Sequence, residues 1–269
     1  VCLQWFKKLK QYLIVKILLS LLLAYIAILT SSVVQAQSKA KQSSYDLMSA
    51  ENKALQDNLD MNPAAFWLLD GQALWTQPSG PKSLSCASCH GDAERSMKGV
   101  AASFPKIRSR RLTTLEEQIE ICRTERQGLV RAGHESKVSL ALSTYVASQS
   151  KGLPIHIDDS PAMRAQIDEG AKLFNKRIGQ LNLSCAQCHD ERAGLKLGGS
   201  VIPQAHPSGY PIYRLEWQSV GSLERRLRNC MIGVRSEPFP YDSDELKQLE
   251  AFLMWRAEGM ILESPAVRP

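Results

Sequence analysis

The sequence predicts an all-α protein built from two tandem domains related by internal duplication. Three observations carry that prediction. "SCASCHGD" (85–92) and "SCAQCHDE" (184–191) both contain C-x-x-C-H, the spacing by which c-type haem is attached to a chain. Each motif ends a longer repeat: "DGQALWTQPSGPKSLSCASCH" (70–90) lies without gaps on "EGAKLFNKRIGQLNLSCAQCH" (169–189). Downstream, "TLEEQIEIC" (114–122) matches "SLERRLRNC" (222–230), and "YVASQSKG" (145–152) matches "FLMWRAEG" (252–259). The period is that of a duplicated unit, so the expected fold is two tandem cytochrome c-type domains, each of three helices around one covalent haem.

The elements follow in chain order. Residues 1–36 read as an export signal: Lys7, Lys8, Lys10 and Lys16 precede an apolar run from Ile17 to Leu29, and Val34-Gln35-Ala36 is a small-residue cleavage site with the cut after Ala36. That run is 13 residues, short of the roughly 20 a membrane-spanning helix needs, so no stable anchor is expected and the location is the periplasm. Residues 37–60 are a helical or flexible lead-in. Domain 1 covers 61–153, a joint with Pro154 and Pro161 covers 154–162, and domain 2 covers 163–269. Thr114 with Glu117 reads as a capping box opening a helix that ends near Cys122 and Gly128, and Ser222 opens its counterpart, which stops before Pro238. Terminal helices are expected at about 138–151 and 243–258. The Gly- and Pro-rich stretch 194–214 should be a long loop covering the second haem.

Composition narrows the function classes. The 269 residues carry a formal charge of +6. Without the leader's four lysines this falls to +2, which gives no reason to expect nucleic acid. Positive charge is instead local, with Arg225, Arg226, Arg228 and Arg235 crowding around Cys230.

The motifs carry the chemistry. Cys86 with Cys89, and Cys185 with Cys188, are placed one helical turn apart so that each thiol can bond a haem vinyl group. His90 and His189 then fall under the iron as proximal ligands. A zinc ribbon made of two C-x-x-C knuckles would not explain a histidine directly after the second cysteine, twice. For the sixth ligand, Met97, Met163, Met231, Met254 and Met260 are available, yet none recurs at matching repeat positions. Cys122 and Cys230 do recur. A pair of buried thiols or a Cys122–Cys230 disulfide is the alternative, but equivalent positions should lie over separate haems, which favours His/Cys ligation in both. Arg226 and Cys230 form an i, i+4 pair on one helix face, where a guanidinium fork suits an oxyanion held at the sulfur. Nearby cations also keep a cysteine ionised and nucleophilic. His134, His156 and His206 are weaker ligand candidates, Arg214 and Arg235 are further candidates for anion contact, and Trp67, Trp75, Trp217 and Trp255 are expected to pack against the macrocycles.

Taken with both C-x-x-C-H motifs and the trailing cysteines, "GYPIYRLEWQSVGSLERRLRNCMIGVRSEPF" (209–239) resembles the active-site block of the SoxA family. These are dihaem subunits of the SoxAX cytochromes of bacterial sulfur oxidation. The resemblance implies that Cys230 ligates the second haem and can carry an extra sulfur as a persulfide, and that Arg226 helps to bind thiosulfate. It implies an L-cysteine S-thiosulfotransferase, which joins thiosulfate oxidatively to the carrier protein SoxY of SoxYZ. The implied partners are a monohaem SoxX and an acceptor cytochrome c. The first haem, with His90 and Cys122 on its iron, would be an electron relay or a relic. A thiosulfate dehydrogenase making tetrathionate is the nearer rival and a plain dihaem electron carrier the simpler one; a dihaem peroxidase would want an open iron face.

Overall fold

The computed structural model describes residues 16–20 and 40–269. Residues 16–20 are helical and exposed; the rest of the expected leader, its cleavage site included, lies outside the described residues. No helix among the described residues is long and apolar enough to cross a membrane. Residues 41–269 form one compact unit.

Its helices are α1 (Ala50–Asp57), α2 (Ala65–Thr76), α3 (Cys86–His90), α4 (Ala93–Ser96), α5 (Leu115–Ile121), α6 (Lys137–Ser148), α7 (Pro161–Asn175), α8 (Cys185–His189), α9 (Leu223–Gly233) and α10 (Asp244–Arg256). Each long helix after α2 starts where a hydroxyl can accept an orphan backbone N–H: Thr114 for α5, Ser136 for α6, Ser160 for α7, Ser222 for α9 and Ser243 for α10. In each half the first and last long helices cross in direct backbone contact. A Cβ on Gly71 of α2 would lie 2.2 Å from the Ala141 carbonyl oxygen of α6, and one on Gly170 of α7 would lie 2.0 Å from that of Gln248 of α10. The glycine of the repeated acid-Gly pair is thus the point where the crossing helices touch.

The halves share one apolar core. Trp75, Phe104 and Val146 from the first and Ile167, Phe174 and Phe252 from the second belong to a single buried cluster, where each large side chain contributes roughly 1.5–3 kcal/mol by leaving water. The joint is drawn into it: Ile155 and Ile157 are buried, and Ile155 exchanges backbone hydrogen bonds of 2.8 Å with Met260 and Gly259.

Short strands, which the sequence reading omitted, supplement the helices. β1 (Lys106–Arg108) pairs antiparallel with β2 (Arg111–Thr113), and β3 (Lys196–Leu197) with β4 (Ser200–Val201). β5 (Ile212–Arg214) lies between antiparallel β6 (Ser219–Gly221) and parallel β7 (Ala266–Arg268). The stretch 194–214 is therefore not one long loop; it holds a small hairpin and ends in the central strand of a sheet. The lead-in is held by that sheet as well, since Gln56 of α1 is buried and its Oε1 accepts the Val267 N–H at 3.0 Å. The two larger hairpins are repeat equivalents. "FPKIR" (104–108) leads into the first and "YPIYR" (210–214) into the second, with a two-residue loop in one and a four-residue loop, residues 215–218, in the other.

Candidate functional site

Both C-x-x-C-H segments fold as one short helix started by a reciprocal cap. The Ser88 N–H donates to Ser85 Oγ at 3.1 Å while the Ser85 N–H donates to Ser88 Oγ at 3.0 Å. Ser184 and Gln187 do the same in the second half, at 3.3 and 3.0 Å. This arrangement satisfies two orphan N–H groups and fixes the turn that carries both cysteines, with the histidine at its far end.

In the first half that helix borders a cavity of about 450 Å³, whose walls include Cys86, Cys89, His90, Met97, Phe104 and Cys122. Trp75 is in the same wall, donates Nε1–H to the Gly91 carbonyl at 3.0 Å and packs its ring 5.8 Å from that of His90. Burial pushes the Cys86 thiol up, and the nearby Cys122 adds to the shift. The Gln118 Nε2–H donates to Cys122 Sγ at 3.5 Å, and the helix widens to a π-type turn over Cys122–Arg126, a distortion often found at functional sites. An apolar cavity with two adjacent thiols, a histidine and a further sulfur fits a covalently held haem. Cys86 and Cys89 would hold it, with His90 and Cys122 on the iron; Met97 is a second sulfur in the same wall.

In the second half burial, with Cys230 nearby, pushes the Cys185 thiol up to about 11. His189 is held below its usual value by burial, with the Arg226 charge adding to this, while its hydrogen bond to Pro203 opposes the shift. His189 Nδ1 lies 2.7 Å from the Pro203 carbonyl; a carbonyl only accepts, so Nδ1 carries the proton and Nε2 keeps its lone pair for a metal. Cys230 itself lies in α9 and is half-buried.

The structure sorts the arginines around Cys230. Arg225 lies over the Trp217 ring at 4.3 Å and donates to Ser219 Oγ at 3.2 Å. Arg228 lies over Tyr241 at 4.3 Å and donates to the Phe239 carbonyl. Arg235 is an exposed turn residue with φ of 57°. Arg226 is different: burial opposes its charge, but its electrostatic interactions with Cys230, Tyr210 and Glu216 outweigh that and hold its pKa above the usual value. Its ion pair with Glu216 is long, 3.6 Å, and half-exposed, so it is weak, whereas Arg214 holds the same carboxylate at 2.8 Å. Of the arginines on α9, Arg226 thus has the weak side-chain contact.

Two residues of this site were not anticipated. Tyr210, whose phenol burial pushes up to about 12 despite Arg226 and Arg214, keeps its O–H at neutral pH and is placed near Arg226 and Cys230. Glu216 sits in the four-residue hairpin loop. The signal for Tyr210 lay in the "FPKIR"/"YPIYR" match, where the second half has a phenol in place of Phe104. The weaker candidates are engaged elsewhere. His134 stacks on Tyr241, His156 pairs with Glu258, and His206 hydrogen-bonds the Gln42 carbonyl. Trp67 packs edge-on to Tyr213, and Trp255 beside Phe252. Among the described cysteines Cys122 and Cys230 are not joined in a disulfide.

Fold and site together define a c-type cytochrome. The chain belongs to the family described as SoxA/TsdA, cytochrome c domain, which matches residues 70–155 and 169–262, and it carries covalently bound haem c. It is 35% identical over 222 residues to the L-cysteine S-thiosulfotransferase subunit SoxA of Pseudaminobacter salicylatoxidans, covering 81% of this chain and 78% of that one. It is 32% identical to the protein of the same name from Paracoccus pantotrophus, covering 79% and 73%. The crystal structure of SoxXA from P. pantotrophus superposes with a TM-score of 0.82 at 28% identity, covering 85% of this chain and 87% of that one.

Proposed function

We propose that this chain is the haem-bearing L-cysteine S-thiosulfotransferase subunit that conjugates thiosulfate oxidatively to a cysteine of the carrier SoxY, in complex with a SoxX-type cytochrome and with a cytochrome c as final acceptor. Two haems, on Cys86/Cys89 and Cys185/Cys188, and export to the periplasm belong to the same reading. The observation that carries it is the pairing of Arg226 with Cys230 beside Tyr210, in a half-buried site of the second repeat. It is supported by the names of the relatives and by the SoxXA superposition.

The residues divide the work. The Arg226 guanidinium, released from its weak contact with Glu216, binds the sulfonate end of thiosulfate through parallel N–H bonds. The neutral Tyr210 phenol supplies an O–H donor, which turns its buried polar group to use. Cys230, as thiolate, forms a sulfur–sulfur bond to the outer sulfur of thiosulfate; the two anions become one S-sulfo-disulfide and two electrons leave. Bound haem supplies one-electron acceptors. A carrier cysteine thiolate then attacks the outer sulfur, takes the S–SO₃⁻ group and returns Cys230 as thiolate.

The test is a reconstituted assay with thiosulfate, SoxX, a carrier bearing one cysteine and an oxidised acceptor cytochrome, with haem content measured on the denatured chain. Carrier gaining the mass of one thiosulfate, together with two haems per chain, supports the reading. Tetrathionate formed without any carrier would favour thiosulfate dehydrogenase, and no turnover would leave an electron carrier.

A further inference from the structure

One helical turn before each trailing cysteine the repeats place a different donor. Aligning "TLEEQIEIC" with "SLERRLRNC" puts Gln118 on Arg226 just as it puts Cys122 on Cys230. The Gln118 amide reaches the Cys122 sulfur at 3.5 Å, while Arg226 is charge-coupled to Cys230.

We propose that Gln118 is a positioning residue for the first centre: its amide N–H holds the Cys122 sulfur and sets that centre's reduction potential, as the neutral counterpart of Arg226. The proposal rests on Cys122 being an iron ligand. A hydrogen bond to an anionic sulfur draws electron density from it, and second-shell donors of this kind tune metal centres. Arg108 and Arg126 also line the cavity, but among the described residues the side chain hydrogen-bonded to the Cys122 sulfur is Gln118. Glu117 is paired with Lys247 at 2.7 Å and Arg111 at 3.2 Å, and Arg123, in the cavity wall, is held by Glu120 at 2.6 Å. Gln118 is in the same wall as Cys86, His90 and Cys122. A neutral donor stabilises the thiolate without attracting a dianion, so this position separates a centre that only carries electrons from one that also binds substrate.

The experiment is a redox titration of the two-haem holoprotein, with the centres resolved by electron paramagnetic resonance, on Gln118→Leu, Gln118→Arg and Cys122→Ala. Loss of the donor in Gln118→Leu should change the oxidised-to-reduced ratio of the first haem about tenfold at fixed potential, a shift of about 59 mV to lower potential for a one-electron couple. Gln118→Arg should shift it to higher potential, with the second haem unmoved in both. A purely structural disturbance would move the two variants the same way, and that result, or no shift in either, overturns the proposal while a changed Cys122→Ala signal leaves the ligand reading standing. An unchanged first-haem signal in Cys122→Ala overturns the ligand reading itself, and this proposal with it, and points to Met97.

Discussion

Arg226 shows how little separates the two repeats at the residue scale. Its counterpart is Gln118, and Tyr210 stands where the first half has Phe104; those two exchanges bring a cation and a phenol to a cysteine. Replacing Arg226 by Lys keeps the charge but loses the planar two-point fork. Arg226→Lys should therefore lower thiosulfate turnover by about tenfold, the loss of roughly 1.4 kcal/mol of binding to the reacting anion, while both haem spectra stay close to wild type. Steady-state kinetics beside absorption spectra check this, and unchanged turnover would move the anion contact to another arginine. That Cys230 and Arg226 share one helix was legible in the sequence, because a repeated cysteine and a helical period place them. The contact with Glu216 was not: Glu216 reaches Arg226 of α9 from the loop of the β5–β6 hairpin, a contact that only the folded loop creates.

At the scale of the elements, caps and crossings carry the fold. The helix starts at Thr114 and Ser222 could be read directly, since a hydroxyl before a helical pattern has a local task that needs no tertiary context. β7 could not. "AVR" at 266–268 has three residues and no periodicity, and it becomes a buried strand because β5 and Gln56 of α1 are waiting for its backbone groups. Gly71 and Gly170 lie between these cases, visible as a repeat but explained by the 2.2 and 2.0 Å approaches of the opposing carbonyls. A methyl group at either place must drive the crossing helices apart. Gly170→Ala should cost about 1–3 kcal/mol, the usual range for overpacking, and Gly71→Ala a similar amount, read as a lowered thermal midpoint; a midpoint within error of wild type would mean that the crossing is looser than described.

At the scale of the whole molecule, the halves meet over a small cavity walled by acids from both, among them Glu116 and Glu120 from α5, Glu224 from α9 and Glu250 from α10. Glu117 in its wall is paired with Lys247 at 2.7 Å, and Glu135, Asp242, Arg131 and His134 line it from the loops. Burial pushes Glu116 and Glu224 up to about 7, and Glu250 is also well above its usual value. A carboxyl whose folded pKa is raised contributes stability that is fully present below its unfolded value, near 4.5, and is lost as pH rises through 7. The protein should accordingly have a higher thermal midpoint at pH 5 than at pH 8, and Glu224→Gln should flatten that slope by on the order of 3 kcal/mol; an equal slope in the variant would remove Glu224 as its source. The two similar centres differ one helical turn before each cysteine, where the first repeat has the neutral Gln118 and the second the cation Arg226, and a cation at that place favours an anion beside the sulfur. The arginines of the first cavity, Arg108, Arg123 and Arg126, lie elsewhere in its wall. The direct test is the carrier-conjugation assay on Cys230→Ala and Cys122→Ala, with the intact mass of each chain. Cys230→Ala should give no conjugate and carry no added sulfur mass, while Cys122→Ala should alter the first haem's spectrum yet retain substantial turnover. Conjugation that survives Cys230→Ala and disappears in Cys122→Ala would place the active site in the first repeat and contradict the account.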